Sequence, residues 1–270
     1  MKKLLPYIIK YVPRKTLTDF IGWVSCIGNE KFQRRLIDWF IKKYGVNTDE
    51  MLYPVGHYKS LYHFFIRELK PEARKIDSKT IVAPVDGVMT ECGTIRDSRF
   101  ECKGEMLSAR DLIACDSFYH EVRDGFYTVH YLSPSDYHWI HSPVEGEIYR
   151  MEYMKGDLYP VFDDMICHKK DILCINERYN MFIRNDKLKI CVSMIAAMGV
   201  GTIFPSDKIL RHNETDGQID LNKDPIKISK GDKLAYFALG STVVLIFNNF
   251  EPDRELKGQH LKFGTGITKI

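Results

Sequence analysis

The sequence predicts an α+β fold, in which a helical N-terminal region over residues 1–70 precedes a mostly antiparallel β domain of barrel-sandwich type over residues 71–270. Two observations lead to this prediction. Apolar residues recur at helical spacing through the first seventy positions. From Ile81 onward, short β-type runs alternate instead with Gly, Asp and Pro.

A weak internal repeat supports the barrel-sandwich part of this prediction. The turn sequence PVxG occurs at residues 84–87 and 143–146, and KGD occurs at 155–157 and 230–232. Such turns are typical of two sheet layers that exchange strands, although ordinary structural turns explain them as well.

The N-terminal region is predicted to hold several helices. In NEKFQRRLIDWFIKKYG we expect Asn29 to cap the helix and Gly45 to stop it. An apolar segment, TLTDFIGWVSCIG, precedes it, and a further helix, SLYHFFIREL, is expected to end before Lys70-Pro71. The apolar face of the capped helix is predicted to contain Phe32, Leu36, Phe40 and Tyr44, opposite Lys31, Arg34, Arg35, Lys42 and Lys43.

Positive charge is concentrated in the same region. Residues 1–43 contain ten Lys or Arg and three Asp or Glu, a net charge of +7, whereas the whole chain carries +3. Basic helices with aromatic faces can lie in a membrane interface, attracted by anionic lipid. A helical layer that merely covers one side of the domain is the alternative, and these residues alone leave both open.

Cysteine usage and hydropathy indicate a cytoplasmic chain. The seven cysteines form no CxxC pair, which favours free thiols in a reducing compartment and argues against a zinc site. No apolar run approaches the roughly 18 residues of a membrane span. Pro6 and Lys10 interrupt the start, MKKLLPYIIKYVPRK, so we expect no signal peptide.

Eight segments of the second region are predicted to be strands, because each combines β-branched or aromatic residues with flanking turn residues. In order they are 81–89 (IVAPVDGVM), 125–132 (GFYTVHYL), 146–154 (GEIYRMEYM), 171–176 (DILCIN), 181–185 (MFIRN), 187–204 (KLKICVSMIAAMGVGTIF), 233–240 (KLAYFALG) and 241–247 (STVVLIF).

Gly240 and Ser241 interrupt the most apolar of these strands, FALGSTVVLIF. A strand glycine usually marks a bulge or a close backbone approach, and an unsatisfied buried hydroxyl costs about 1–3 kcal/mol. A serine after glycine can also attack the preceding carbonyl, which gives an ester by an N→O acyl shift. Elimination then leaves a dehydroalanine, which hydrolyses to a pyruvoyl group and ammonia.

Three other polar residues are candidates for the same chemistry. Asp86 in APVDG has a turn carboxylate as its ordinary explanation, and His138 and His141 in YHWIH are most simply core or surface histidines. Two histidines three apart supply too few ligands for a metal site. An Asp, a His and a Ser are nevertheless the components of an activated nucleophile.

Six motifs occur in an order that resembles the bacterial phosphatidylserine decarboxylase proenzymes. The resemblance covers most of residues 60–250, and its most specific parts are LSPSDYHWIHSPV and LGSTVV. Ala196 stands where a glycine is more usual, and 251–270 carries no motif. The motifs are FFIRELKPEAR (64–74), APVDG (83–87), LSPSDYHWIHSPV (132–144), GDL (156–158), NER (176–178) and LGSTVVLIF (239–247).

The resemblance implies that the chain cleaves itself between Gly240 and Ser241. A β chain, 1–240, and an α chain, 241–270, then form a heterodimer, with Ser241 converted to the covalent pyruvoyl cofactor. Asp86 and His141 match the partners of this serine in cleavage. No metal is implied.

The resemblance also implies the reaction. The pyruvoyl group forms a Schiff base with phosphatidylserine and releases carbon dioxide, which gives phosphatidylethanolamine for phospholipid biosynthesis. His138 matches the residue assigned to decarboxylation, where a general acid must reprotonate the α-carbon. The substrate implies a peripheral position at the cytoplasmic face of an anionic membrane. A homodimer of heterodimers is a further family-based expectation, with no nucleic-acid partner.

Two other classes of protein compete with this interpretation. A non-enzymatic barrel-sandwich module, similar to lipoyl or biotin carriers, would use PVxG and KGD as turns only, but no carrier-type lysine turn is present. A metallopeptidase would need more ligands than HxxH supplies.

Overall fold

A computed structural model describes residues 13–102, 104–161, 171–198, 203–210, 217–238 and 242–269 of the chain. Helices and antiparallel sheets are both present, which confirms the predicted α+β class. Residues 1–12, with Pro6 and Lys10, and the predicted cleavage residues Gly240 and Ser241 lie outside the described residues.

The helices are concentrated before residue 70, with shorter ones between the strands. Short 3-10 turns occur at Val55–His57, Pro71–Ala73 and Arg254–Leu256. The helices are α1 (Arg14–Cys26), α2 (Glu30–Tyr44), α3 (Leu61–Phe65), α4 (Ala109–Ile113), α5 (Asp116–Val122), α6 (Ile172–Ile175) and α7 (Asp207–Leu210).

Helix α2 begins and ends where the sequence predicts. The Asn29 side chain accepts a hydrogen bond from the Phe32 N–H at 2.9 Å, and Gly45 adopts the left-handed conformation with φ 67°. The buried face agrees with the predicted one at Phe40, but Gln33 and Ile37 are the other buried residues. Predicted members such as Phe32 and Tyr44 are instead exposed.

Helix α3 is shorter than predicted. It ends at Phe65 rather than at Leu69, because the following residues pair with an extended segment. Leu69 bridges to Met51, and the N–H of Lys70 donates to the Glu50 carbonyl at 2.9 Å. These non-local hydrogen bonds override the local helical pattern.

The strands pair antiparallel in a large sheet, a three-stranded sheet and a hairpin. The strands are β1 (Gly87–Thr94), β2 (Arg99–Cys102), β3 (Glu105–Ser108), β4 (Phe126–Tyr131), β5 (Trp139–His141), β6 (Gly146–Met154), β7 (Arg178–Arg184), β8 (Lys189–Ile195), β9 (Ile203–Pro205), β10 (Gln218–Asp220), β11 (Ile226–Ile228), β12 (Lys233–Phe237), β13 (Thr242–Phe247) and β14 (His260–Leu261).

The large sheet has the order β10-β6-β7-β8-β13-β4-β1-β14, with β11 also paired to β6, and the smaller sheet has the order β5-β12-β9. Strand β13 lies between β8 and β4, and all six of its residues are buried. Within the described residues the end strands β10 and β14 do not pair, so the large sheet is open and does not close into a barrel.

One predicted strand is wrong, since residues 171–176 contain helix α6 instead. Asn176 after it is fully buried, and its side-chain amide donates to the carbonyls of Tyr159 and Ala196. A Cβ on Gly156 would lie 2.4 Å from the Asn176 backbone, so the GDL and NER motifs form one close contact. The predicted strand over 81–89 begins only at Gly87.

In the part of the chain that the structure describes, buried apolar side chains form two clusters. The larger one fills the β-rich part and includes Phe182, Phe237 and Phe247. The smaller one lies in the N-terminal region and contains Ile37, Phe40, Val46, Met51, Leu61, Phe64 and Phe65. The division at residue 70 stays a prediction.

Candidate active site

Three neighbouring strands of the large sheet, β1, β4 and β13, place Asp86 and the start of β13 toward one end of that sheet. Val88 of β1 pairs with Tyr131 of β4, and Tyr131 pairs with Thr242 of β13. Gly87 has a φ of +154°, and a Cβ at this position would lie 2.3 Å from the Tyr131 carbonyl oxygen. Only glycine therefore suits this position. Since neighbouring strands lie about 4.8 Å apart and β4 lies between β1 and β13, the start of β1 after Asp86 lies about 10 Å from the start of β13.

The Asp86 carboxylate is buried and ion-paired. It accepts hydrogen bonds from Nε of Arg74 at 3.0 Å, from Nη2 of the same guanidinium, and from the Phe263 backbone N–H at 2.9 Å. Arg74 also contacts Glu50 at 2.9 Å. Burial raises the pKa of Glu50, but hydrogen bonds from Lys262 and Arg74 outweigh it and hold that pKa below its ordinary value.

His141 is held at both ring nitrogens. Its Nδ1 lies 2.6 Å from the Gly231 carbonyl oxygen, so we assign the proton to Nδ1, and Nε2 then accepts from the Tyr137 hydroxyl at 3.2 Å. The ring stacks on Phe263 with centroids 3.8 Å apart and 3° between planes. Burial lowers the pKa of His141 to about 4, so the ring is neutral near pH 7.

His138 is fully buried, and one of its nitrogens is unpartnered. Nδ1 lies 2.8 Å from the Asp136 carbonyl and donates to it, whereas Nε2 has no hydrogen-bond partner among the described residues. The ring packs on Phe65 at 4.0 Å. Burial, helped by the positive charge of Arg67, lowers the pKa of His138 to about 3. A neutral imidazole with a free lone pair results.

The segment that contains Gly240 and Ser241 is itself outside the described residues, but its neighbours are in place. The Phe237 N–H donates to the His138 carbonyl at 3.0 Å, and Thr242 pairs with Tyr131. The described chain therefore approaches this segment beside the His138 carbonyl and resumes at Thr242 beside Tyr131 of β4.

Asp86 and His141 make no hydrogen bond to each other. They are linked through Phe263, whose backbone binds the carboxylate and whose ring stacks on the imidazole. The assignment of Asp86, His138, His141 and Ser241 to particular steps stays a prediction.

Four residues of this site were not singled out from the sequence. Phe263 lies in the C-terminal segment that carried no motif, and nothing local signals its role. The other three stand inside the motifs that the sequence did present, namely Arg67 and Arg74 in FFIRELKPEAR and Tyr137 in YHWIH. Within the described residues, no group of three or more His, Cys, Asp or Glu side chains could hold a metal ion.

The buried histidines predict a pH dependence of stability. In the folded chain burial lowers the pKa of His130 and His138 to about 3 and that of His141 to about 4, against an ordinary 6.5. The unfolded chain therefore binds more protons between these values. Stability is expected to fall as pH drops from 6.5 toward 4, by up to about 1.4 kcal/mol per pH unit for each histidine.

Urea unfolding midpoints measured from pH 7.5 to pH 5 test this dependence. His130→Gln should flatten the slope, because it removes one of the titrating rings while leaving Thr128 a hydrogen-bond partner. The exposed His120→Gln is the matched control and should leave the slope unchanged. A midpoint that does not move with pH in this window would contradict the prediction.

Comparison with known proteins shows which family the chain resembles. A family model described as phosphatidylserine decarboxylase matches residues 61–269. The phosphatidylserine decarboxylase proenzyme of Legionella pneumophila strain Philadelphia 1 is 33% identical over 282 residues, covering 100% of this chain and 98% of the relative. The proenzymes of Herminiimonas arsenicoxydans (33%, 92% and 86%) and Coxiella burnetii strain RSA 493 (31%, 88% and 87%) are also similar.

Proposed function

The chain belongs to the phosphatidylserine decarboxylase family, and we propose that it removes the carboxylate of phosphatidylserine as carbon dioxide, which leaves phosphatidylethanolamine. The carrier-module alternative is not favoured by this membership. The observation that best supports the proposal within the fold is His138, a fully buried imidazole with an unpartnered Nε2. Its own carbonyl is bonded to the strand that leads toward Gly240 and Ser241.

Maturation by self-cleavage is part of the proposal. The relatives are named proenzymes, which fits a chain that becomes active by processing. We assign to Ser241 the attack on the Gly240 carbonyl and to His141 the acceptance of the hydroxyl proton. His141 is neutral near pH 7, and among the described residues its Nε2 lone pair is occupied only by the Tyr137 hydroxyl, which can rotate away.

The described residues fit a reactive carbonyl cofactor formed from Ser241. A pyruvoyl group supplies an electron sink for the electrons that carbon dioxide leaves behind. His138 can take up a proton at Nε2 and deliver it from the same atom, because Nδ1 is fixed on the Asp136 carbonyl. Phe65 and Phe237 are fully buried beside His138 and exclude water from this exchange.

Intact mass measurement, followed by an assay of carbon dioxide release from phosphatidylserine vesicles, tests the proposal. We expect two chains, with the smaller one beginning at a blocked position 241. Release should depend on that cleavage. An unmodified single chain that still releases carbon dioxide would exclude the pyruvoyl mechanism, and a cleaved chain that releases none would exclude the substrate.

Membrane docking through the N-terminal helices is also proposed. Helix α1 buries polar instead of apolar side chains, since Thr18 and Ser25 are its buried residues. The apolar side chains face outward instead, with Phe20 56% and Trp23 57% exposed and Ile27 exposed beside them. Exposed aromatic groups of this kind suit the boundary between headgroups and acyl chains.

Charge on the neighbouring helix favours an anionic surface. All the basic residues of α2 are exposed, beside exposed Phe32 and Trp39. Each basic residue near an anionic leaflet contributes about 1 kcal/mol of attraction. No described helix is both long enough and apolar enough to cross a bilayer. From the exposed apolar side chains of α1 and the charge of α2 we infer peripheral attachment, at the cytoplasmic face. The basic residues of α2 are Lys31, Arg34, Arg35, Lys42 and Lys43.

Vesicle sedimentation tests this attachment. The double variant Phe20→Ser, Trp23→Ser is expected to bind phosphatidylserine-containing vesicles at least 10-fold more weakly, because the two rings lose their burial in the interface, each worth about 1.5–3 kcal/mol. Binding of the native chain should weaken as salt rises. Met106→Ser, at an apolar residue equally exposed elsewhere, is the control and should bind normally. Salt-independent binding to neutral vesicles would rule out the electrostatic part.

A further inference from the structure

A cavity of about 510 Å³ is lined in part by Trp139, the residue that follows His138. Trp139 donates from Nε1 to the Ile66 carbonyl at 3.0 Å. The remaining lining is rich in hydrogen-bond donors. It includes Tyr58 and Arg67, with the exposed side chains of His57, Lys59 and His63 around the opening.

Arg67 is an incompletely paired cation. It is 3% exposed, and its Nη2 donates to the carbonyls of Ser135 at 2.7 Å and Asp136 at 3.0 Å. Nε and Nη1 have no hydrogen-bond partner among the described residues. Burial lowers the pKa of Arg67 to about 10, so it remains charged at pH 7. A buried guanidinium with unmade hydrogen bonds is costly unless a ligand completes it.

Acidic side chains nearby are already occupied. Asp86 is bound by Arg74 and by the Phe263 N–H, and Glu68, which lines the cavity, pairs with Lys233. The carboxylates that could neutralise Arg67 therefore have other partners.

Tyr58 supplies a second unused donor in the same lining. Its hydroxyl is buried and has no hydrogen-bond partner among the described residues. Burial raises the pKa of Tyr58, so the hydroxyl keeps its proton. A buried guanidinium, which can only donate, and a protonated hydroxyl with its hydrogen unused fit an anion, which can only accept.

We propose that this cavity binds the phosphodiester of the lipid substrate, with Arg67 and Tyr58 donating to its non-bridging oxygens. This inference rests on the proposed function. The Asp136 carbonyl accepts from both Arg67 and the His138 Nδ1, so the anion site and the proton-transfer histidine share one backbone atom. A phosphodiester bound there would position the headgroup relative to His138.

The phosphodiester fits this site better than the carboxylate does. A carboxylate loses its charge when it leaves as carbon dioxide, so a strong ion pair to it would stabilise the ground state more than the transition state. The phosphodiester keeps its charge through the whole reaction. Binding energy at that group holds substrate without opposing the chemistry.

Equilibrium binding of two soluble probes to the full chain tests the site. Glycerophosphoglycerol carries a phosphodiester and no carboxylate, whereas N-acetylserine carries a carboxylate and no phosphate. We expect the first probe to bind and the second not to bind. Affinity for the first should fall about 10-fold in Tyr58→Phe, as expected for a lost hydrogen bond to a charged group, and at least as much in Arg67→Gln.

Tyr53→Phe, which changes an exposed tyrosine of the same lining, is the matched control and should retain affinity within about twofold. With phosphatidylserine in mixed micelles, Tyr58→Phe should raise KM about 10-fold and leave kcat nearly unchanged, because the lost contact is the same in ground and transition states.

The inference is overturned if glycerophosphoglycerol does not bind or binds Tyr58→Phe as tightly as the native chain. It is also overturned if only N-acetylserine responds to the two substitutions. Tyr58→Phe decides the matter alone if Arg67→Gln does not fold. A site that binds the phosphodiester as expected, in a protein that releases no carbon dioxide from phosphatidylserine, would retain the inference and reject the proposed function.

Discussion

His141→Ala is expected to remain a single 31.5 kDa chain, because cleavage needs a base that accepts the Ser241 hydroxyl proton. Denaturing gel electrophoresis and intact mass measurement after expression both report this directly. The substitution also removes the ring stacked on Phe263 and the hydrogen bond to Gly231. Far-UV circular dichroism should therefore accompany the gel, to show that the uncleaved chain is folded.

His138→Ala is expected to give the opposite result. This chain should cleave into 1–240 and 241–270, and its rate of carbon dioxide release should fall by about 10²–10⁴-fold, the usual contribution of a general acid or base. The two substitutions together separate maturation from turnover. Cleavage of His141→Ala, or failure of His138→Ala to cleave while folded, would contradict the assignment of roles.

His130→Gln is the matched control for both variants. His130 is equally buried on β4, and its Nε2 lies 2.9 Å from the Thr128 hydroxyl. It stands outside the motifs of the site, so its substitution should leave cleavage complete and turnover within a few-fold. A loss of cleavage in this variant would show that cleavage also fails when a buried histidine outside the motifs is replaced, which would contradict a specific role for His141.

Arg74→Met is expected to have the largest effect on stability. Arg74 is the buried cation between Asp86 and Glu50, with 5% of its side chain exposed. Its removal leaves the Asp86 carboxylate buried without a counter-ion, which typically costs about 3–5 kcal/mol. Urea unfolding at pH 7 measures this loss, and slower or absent cleavage should accompany it.

Two further variants make the Arg74 result specific. Arg110→Met removes an exposed arginine paired with Asp116 and should not measurably change the unfolding midpoint, since exposed pairs contribute little. Asp86→Asn combined with Arg74→Met should recover part of the lost stability, because the uncompensated charge is gone. Equal destabilisation by Arg110→Met, or no recovery in the double variant, would argue against a buried-charge effect.

The parts of the fold that the sequence predicts well are those fixed by local chemistry. Helix α2 is right at both ends because Asn29 and Gly45 cap it with groups only a few residues away. The predictions for α3 and for residues 171–176 are wrong because distant partners decide those segments. Residues 68–70 bond to 49–52, and Asn176 is fixed by Tyr159 and Ala196.

The same distinction applies to the site. The motifs identify Asp86, His138 and His141 from their own short sequences. They cannot identify Phe263, which lies 177 positions from Asp86 and binds it through a backbone N–H that any residue except proline could supply. The unmade hydrogen bonds of Arg67 are equally invisible, because they depend on how distant carboxylates are paired.

The position of β13 has a consequence for the mature protein. After the proposed cut, the small chain still contributes a strand in the middle of the large sheet, and its C-terminal part remains bonded along the other chain, from the Ile267 N–H to the Ile81 carbonyl and from the Ala83 N–H to the Thr265 carbonyl. Breaking one peptide bond therefore ends the covalent connection but leaves almost all of the non-covalent contacts between the two chains. The two chains should unfold together in a single thermal transition, and the small chain should not exchange with free small chains in solution. The protein therefore folds as one chain and, after processing, persists as a stable two-chain molecule.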